Sequence, residues 1–151
     1  MLSIILKPLF ENTNDRKELP SDIEIALSMI VSGCIFVPLD QKAALIIVSN
    51  SDDIRNLKNI NNVTMSFELI ERPEFPSLGM HIEANTASNT TYNFDYFFNT
   101  DSTGELDLLK KLREQKYFDI HFYTTEVVHS KKIGLGAGDK SELNSLIDKV
   151  I

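Results

Sequence analysis

The sequence has very little cysteine: Cys34 is its single thiol among 151 residues. One cysteine cannot form an internal disulfide, which fits a reducing compartment. Long apolar runs are also missing. Lys7 and Pro8 interrupt the apolar start of the chain, which lacks the preceding basic residues and the small-residue cleavage site of a secretory signal. These absences predict a cytoplasmic protein without a membrane-spanning segment.

Positive charge is scarce as well. The chain carries 15 Lys and Arg against 22 Asp and Glu, a formal net charge of −7. Binding to the phosphates of nucleic acids or to anionic membranes requires clustered cations. The best clusters, Lys110-Lys111 with Arg113 and Lys131-Lys132, are short and diluted by acids, which is typical of solvated faces. The composition therefore predicts no nucleic-acid partner and no membrane partner.

The sequence contains no phosphate-binding motif with the required spacing and no cysteine in the surroundings that a nucleophile requires. The glycine-rich segment 134–141 contains Lys140, but Asp139 separates the lysine from the glycine and puts a carboxylate where a phosphate would sit. The segment is more typical of a flexible turn before a helix capped by Asp139 and Glu142. Cys34 has apolar neighbours, which favours a buried structural thiol over a nucleophile.

What is present is a regular alternation of apolar and polar residues. Residues 79–84, 91–99 and 117–125 alternate with a period of two, which indicates strands with one buried face. A helical spacing of leucines lies between the second and the third of them. The pattern predicts a β-β-α-β unit at 79–125. On its second strand, one face carries an aromatic stripe that favours core over a base-stacking platform: Tyr92, Phe94, Tyr96 and Phe98.

Helix ends are predicted from pairs of residues three apart. Ser21 with Glu24, and Ser102 with Glu105, match capping boxes, in which each side chain satisfies a free backbone donor. The first pair opens a helix that Gly33 would end in a left-handed conformation. The same run also alternates with a period of two, so a strand competes there. The cap and the glycine favour the helix.

The remaining apolar runs predict further strands. Residues 34–39 and 43–49 flank a turn and suit a hairpin, and 63–71 alternates as a strand. Leu45 to Val48 are apolar on successive residues, as in a central strand covered on both faces. Residues 50–59 form a short helix at most. Together the pattern predicts a single α+β domain, residues 1–151, with a mixed, mainly antiparallel sheet of about six to eight strands and helices packed on one face.

The polar faces of the central unit supply the candidate site. If its three strands are neighbours, alternation places on one side His81, Glu83, Asn93, Asp95, Asp119, His121 and Tyr123. Histidines beside carboxylates are able to bind a metal or act as acid and base. A solvated sheet face is the simpler interpretation, and no ligand spacing supports a metal. His129 is interpreted as exposed. No catalytic residue, metal or other cofactor is assigned.

Three functional hypotheses follow from these observations, and the sequence predicts no oligomeric state. The leading hypothesis is a non-catalytic regulatory factor, such as an inhibitor or immunity protein, whose acidic surface selects a basic protein partner. The alternative is an enzyme, or a small-ligand or metal binder, that uses the face around His81 and His121. A structural subunit of a larger assembly is a third possibility, which an exposed apolar edge at Leu45 to Val48 would favour.

Overall fold

The computed structural model describes residues 2–6, 19–49, 60–71, 73–74, 76–123 and 128–151. Within these ranges the chain forms eight strands and three helices, which confirms the predicted α+β class. In chain order the elements are β1 (Leu2–Leu6), α1 (Ser21–Ser28), β2 (Ser32–Leu39), β3 (Lys42–Ser49), β4 (Ile60–Ile70), β5 (Ser77–Thr86), β6 (Thr91–Asn99), α2 (Thr103–Glu114), β7 (Tyr117–Tyr123), β8 (Val128–Gly134) and α3 (Ala137–Asp148). The helix considered for 50–59 lies outside the described residues.

The strands divide into two four-stranded sheets rather than one. Sheet I has the order β1-β4-β5-β6 and is antiparallel throughout. Sheet II has the order β2-β3-β7-β8, in which only β3 and β7 are parallel. The predicted β-β-α-β order is present, but α2 carries the chain from β6 in sheet I to β7 in sheet II. The parallel strands β3 and β7 are thus joined through β4, β5, β6 and α2, since a tight turn joins only antiparallel strands.

One large core lies between the two sheets together with α2 and α3. Phe36 on β2 contacts Phe98 on β6, with ring centroids 4.9 Å apart, and Phe67 on β4 stacks on Phe118 of β7 at 6.1 Å. The aromatic stripe of β6 faces this core, as predicted, and its Phe94 is buried. Contacts between aromatic rings therefore join the inner faces of the two sheets.

A second, smaller core lies on the opposite face of sheet II, beneath α1. Leu27 of α1 is buried there with Ala44 and Ile46 of β3. All the residues from 43 to 49 are consequently buried, which confirms that β3 is covered on both faces. Leu45 to Val48 thus form no exposed edge. The helices lie on both sides of sheet II, and not on one face as predicted.

None of the predicted capping boxes forms at the described helix starts. The N-cap residues of α1 and α3 are Pro20 and Gly136, so each helix has its N-cap ahead of the residue predicted to be its cap. Ser102 is the N-cap of α2, as expected, but its side chain accepts no cap hydrogen bond. Glu105 instead accepts a hydrogen bond from the Tyr96 hydroxyl at 2.7 Å. A tertiary contact with Tyr96 thus takes the place of the predicted hydrogen bond between the Glu105 side chain and the helix backbone.

The end of α1 and the following hairpin also depart in detail from the prediction. Helix α1 ends at Ser28, and Gly33 belongs to β2 without a positive φ. The predicted β2–β3 hairpin is present and turns through Asp40 and Gln41, at φ values of 52° and 63°. Two central residues at positive φ match the right-handed twist of the flanking strands.

Candidate functional site

The predicted polar face is divided between the two sheets. His81, Glu83, Asn93 and Asp95 lie on β5 and β6 in sheet I, whereas Asp119, His121 and Tyr123 lie on β7 in sheet II. Strand β7 pairs with β3 and β8, and β5 pairs with β4 and β6. The expectation that one face gathers all seven side chains is therefore wrong, because the three strands are not neighbours.

The β7 group does not form an open surface. His121 is 3% exposed and Tyr123 is 6% exposed, although alternation predicted both to point to solvent. They do lie opposite the main core, but the small core beneath α1 covers that face, and Tyr123 belongs to it. Asp119 is half-buried and lines two cavities, of about 370 and 130 Å³. The side chain of His129 lies outside the described residues.

The sheet I group forms a connected polar cluster around His81. Its Nδ1 lies 2.7 Å from Asp95 Oδ1, and its Nε2 lies 3.2 Å from Asn93 Oδ1. Glu83 Oε1 is 3.5 Å from the same Nε2. The geometry follows from strand pairing, because His81 stands directly opposite Asp95, and Asn93 is the diagonal neighbour.

The surroundings of His81 favour its charged form. The pKa of His81 is raised above 6.5, first because Asp95 accepts its hydrogen bond, while partial desolvation acts in the opposite direction. The charge of Asp95, the Asn93 hydrogen bond and the charge of Glu83 raise the pKa further. Oxygen atoms next to both ring nitrogens suit an imidazolium, which donates from both.

This cluster lacks the arrangement of a hydrolase triad. Ser66 on β4 stands opposite His81, so a serine, a histidine and an aspartate cross three neighbouring strands. Ser66 and His81 are nevertheless not hydrogen-bonded to each other; Ser66 Oγ pairs with Ser3 Oγ at 3.1 Å, and the outer nitrogen of His81 faces Asn93. The histidine is thus not placed to take a proton from the serine. In the described ranges, no three His, Cys, Asp or Glu side chains are grouped to bind a metal ion.

On the outer side of sheet I, every side chain with a fixed charge is negative. Its four strands contain no lysine and no arginine. Their carboxylates are Glu68, Glu83 and Asp95, and all three belong to the outward set of side chains. We call this surface the acidic face and define it by Glu68, His81, Glu83, Asp95 and Phe97.

An apolar patch adjoins the carboxylates on the acidic face. Phe97 is 48% exposed and stands opposite Gly79. A Cβ atom at Gly79 would lie 2.9 Å from Ile70 Cδ1 and 3.4 Å from Phe97 Cε1, so the glycine lets both side chains close over the strand. Glu68, His81 and Asp95 line the same shallow cavity of about 150 Å³. The face therefore combines an apolar contact with negative charge.

Sequence reasoning found most of the acidic face but not its extent. His81, Glu83 and Asp95 were named from strand alternation, whereas Glu68 was missed because the pairing of β4 with β5 was not known. One signal was available: between Ile60 and Asn99 the sequence contains a single cation, Arg72, which falls between the segments of β4 and β5 and in none of the three strands. A gap in positive charge over three strands is visible without a structure.

The chain matches no family model, no curated protein and no solved structure in the comparisons with known proteins. Among the described helices, none has the length and apolar character needed to cross a membrane. Function is therefore argued from the geometry of the chain itself.

Proposed function

We propose that the protein is a non-catalytic, cytosolic binding protein that uses the acidic face to bind a basic protein partner. The observation that carries the proposal is the absence of lysine and arginine from all four strands of sheet I, beside three outward carboxylates. Such a surface attracts a cationic partner and repels an anionic one. An inhibitor or immunity-type factor would act in this way.

The exposed aromatic ring supports protein binding over simple solvation. Protein interfaces are enriched in aromatic residues, and apolar anchors surrounded by polar groups carry most of the binding energy. Phe97 is such an anchor, because its ring is half-exposed next to Ile70 and close to Asp95. A solvated face needs no exposed phenylalanine.

The proposal is tested by carbodiimide cross-linking in an extract of cells that produce the protein. The reagent joins carboxylates directly to lysines, so it captures a basic partner in contact with the acidic face. We expect cross-linked peptides to contain Glu68, Glu83 or Asp95 and to lose intensity with rising salt, since screening lengths fall to about 10 Å at 0.1 M.

A matched pair of variants makes this experiment decisive. The Glu68→Gln, Glu83→Gln double variant should lose the partner when capture is measured by affinity pull-down without the carbodiimide, a readout that does not use the two carboxylates as reactive groups. The Asp107→Asn, Glu142→Gln double variant should retain it, because it removes the same charge from exposed positions on α2 and α3. Equal capture by the two variants, or cross-links that map only to the helices, would rule out the acidic face as the interface.

A further inference from the structure

A second surface, next to sheet II, is lined by positively charged side chains. A groove of about 370 Å³ opens where the β2–β3 turn, the end of α2 and the start of β7 meet. Three lysines line it, Lys42, Lys111 and Lys116, together with Gln41, Tyr117 and Asp119. We call it the lysine groove. Its volume falls within the range of small-molecule sites, about 300–1,000 Å³.

Within the described part of the chain, the lysines of this groove have no acidic partner. Among the residues that the structure describes, no carboxylate oxygen lies within 4.0 Å of the ammonium groups of Lys42, Lys111 and Lys116. Glu114 and Asp119 line the same groove without pairing with them. The chain has a net charge of −7, so a concave surface lined by three lysines without ion pairs differs from the rest of the molecule. A bound anion would satisfy them with charge-assisted hydrogen bonds.

Two carbonyls near the end of α2 already have donors within the protein. A helix C-terminus normally presents free carbonyl groups and a partial negative charge. Here the N–H of Gln115 donates to the carbonyls of Lys111 and Leu112, at 3.2 and 3.3 Å. Lys140 Nζ donates to the Leu112 carbonyl at 2.7 Å. Protein donors therefore already occupy these carbonyls, and Lys140 adds positive charge.

Backbone contacts hold the groove in place. The Gln115 side chain accepts a hydrogen bond from the Ala43 N–H and donates to the Ala43 carbonyl at 3.1 Å. It also donates to the Tyr117 carbonyl at 3.0 Å. One side chain thus ties together β3, which supplies Lys42, and β7, which supplies Tyr117. A site built on fixed strands loses little entropy when it binds.

Tyr117 offers a ring at the side of the groove. The side chain is 52% exposed, and its partner on β8 is Gly134. A Cβ atom at Gly134 would lie 3.5 Å from Cδ1 and Cε1 of the tyrosine, so the ring rests against the glycine. Packing against the strand orients the ring while half of its surface stays open. An exposed, oriented tyrosine is able to stack on a planar group of a ligand.

From these contacts we propose that the lysine groove binds a small organic phosphate that carries a planar ring. Lys42, Lys111 and Lys116 donate to the phosphate oxygens, and Tyr117 stacks on the ring. The inference is independent of the acidic face, because the groove belongs to sheet II and α2. Asp119, a predicted ligand-binding residue outside the acidic face, also lines the groove, but its carboxylate does not bind the phosphate.

The test uses AMP, inorganic phosphate and adenosine as three probes, with binding followed by NMR titration and calorimetry. AMP should bind more tightly than inorganic phosphate or adenosine alone, because it satisfies both parts of the groove. Lys42→Gln and Lys116→Gln should each weaken AMP binding about tenfold, the loss expected for one charge-assisted contact. Tyr117→Leu should remove the preference for AMP over inorganic phosphate.

Lys110→Gln is the matched control, because Lys110 is exposed beside Lys111 on α2 but does not line the groove. The proposal is overturned if AMP fails to bind at millimolar concentration, if adenosine binds equally well, or if Lys110→Gln weakens AMP as much as the groove variants. The Glu68→Gln, Glu83→Gln variant should bind AMP like the wild type. Failure of the groove would therefore leave the acidic face untouched, and the reverse also holds.

Discussion

At the scale of single residues, His81 shows how a surface histidine acquires a specific electrostatic state. Its ring lies between Asp95 at 2.7 Å and Asn93 at 3.2 Å, and the strand register fixes both partners. The resulting rise in pKa places an additional positive charge within the acidic face at mildly acidic pH. The charge of this face therefore depends on pH through one residue.

We predict that Asp95→Asn lowers the pKa of His81 towards its ordinary value, because the hydrogen bond to Asp95 is the main cause of the rise. NMR titration of the His81 ring protons measures the effect. Glu68→Gln is the control, since it removes a carboxylate of the same face that does not contact the ring. An unchanged pKa in Asp95→Asn would show that this contact is not made in solution.

The sign of the stability effect follows from linkage. Folding raises the pKa of His81 above 6.5, so the folded protein binds the proton more tightly than the unfolded chain. The stabilisation is fully present below pH 6.5 and is lost as the pH rises through the folded pKa. Urea denaturation should therefore show a destabilised His81→Gln variant in acid and a smaller difference at alkaline pH. The contact is solvent-exposed, and solvent screening limits its size.

At the scale of elements, Gln115 joins parts of the chain that lie far apart in sequence. The parallel ladder of β3 and β7 begins only at Ala44 and Asp119, so it leaves Ala43 without a ladder partner on that side. The Gln115 amide fills this place by bonding the N–H and the carbonyl of Ala43. A side chain thereby extends the sheet by one position.

We predict that Gln115→Ala destabilises the fold by about 2 kcal/mol, because it leaves two backbone groups of the fully buried Ala43 unsatisfied. Urea denaturation measures the change. Glu114→Ala serves as the control, since Glu114 is the exposed neighbour and has no such contact. A loss for Gln115→Ala no larger than the control would mean that water replaces the amide at Ala43.

The positions of strands and helices could be predicted from the sequence more reliably than the pairing of the strands. Strands β5, β6 and β7 were placed by alternation, yet nothing in their local pattern shows that β7 pairs with β3 instead of β6. Burial of His121 was missed for the same reason, since the cover comes from α1, about a hundred residues earlier in the chain. The capping box of α2 failed because the Tyr96 hydroxyl, on another element, binds the Glu105 side chain.

At the scale of the whole molecule, the two proposed sites of opposite charge lie on different sheets. Sheet I carries only carboxylates among its fixed charges, while the lysines of the groove lie on sheet II, on α2 and in the link between α2 and β7. The two proposed sites thus occupy different sheets and select partners of opposite charge. A net charge of −7 alone would not reveal this division. The division is a property of the three-dimensional arrangement, because the two sheets alternate along the chain.

This arrangement predicts that stability and binding respond differently to the same substitutions. Glu68→Gln with Glu83→Gln should change the free energy of unfolding by less than about 0.5 kcal/mol, because both side chains are solvent-accessible and Glu68 has no ion pair among the described residues. Capture of the basic partner should fall about tenfold, since charge complementarity acts in the complex.

Leu109→Ala provides the opposite case. Leu109 is fully buried in the core between the sheets, so its truncation should cost about 2–5 kcal/mol. The fraction that remains folded should still capture the partner, because the acidic face is unaltered. Urea denaturation and affinity pull-down of the same samples, without the cross-linker, separate the two effects. If the glutamate variants lost stability in proportion to their loss of binding, the carboxylates would be part of the structure of sheet I, and the face would not be an interface.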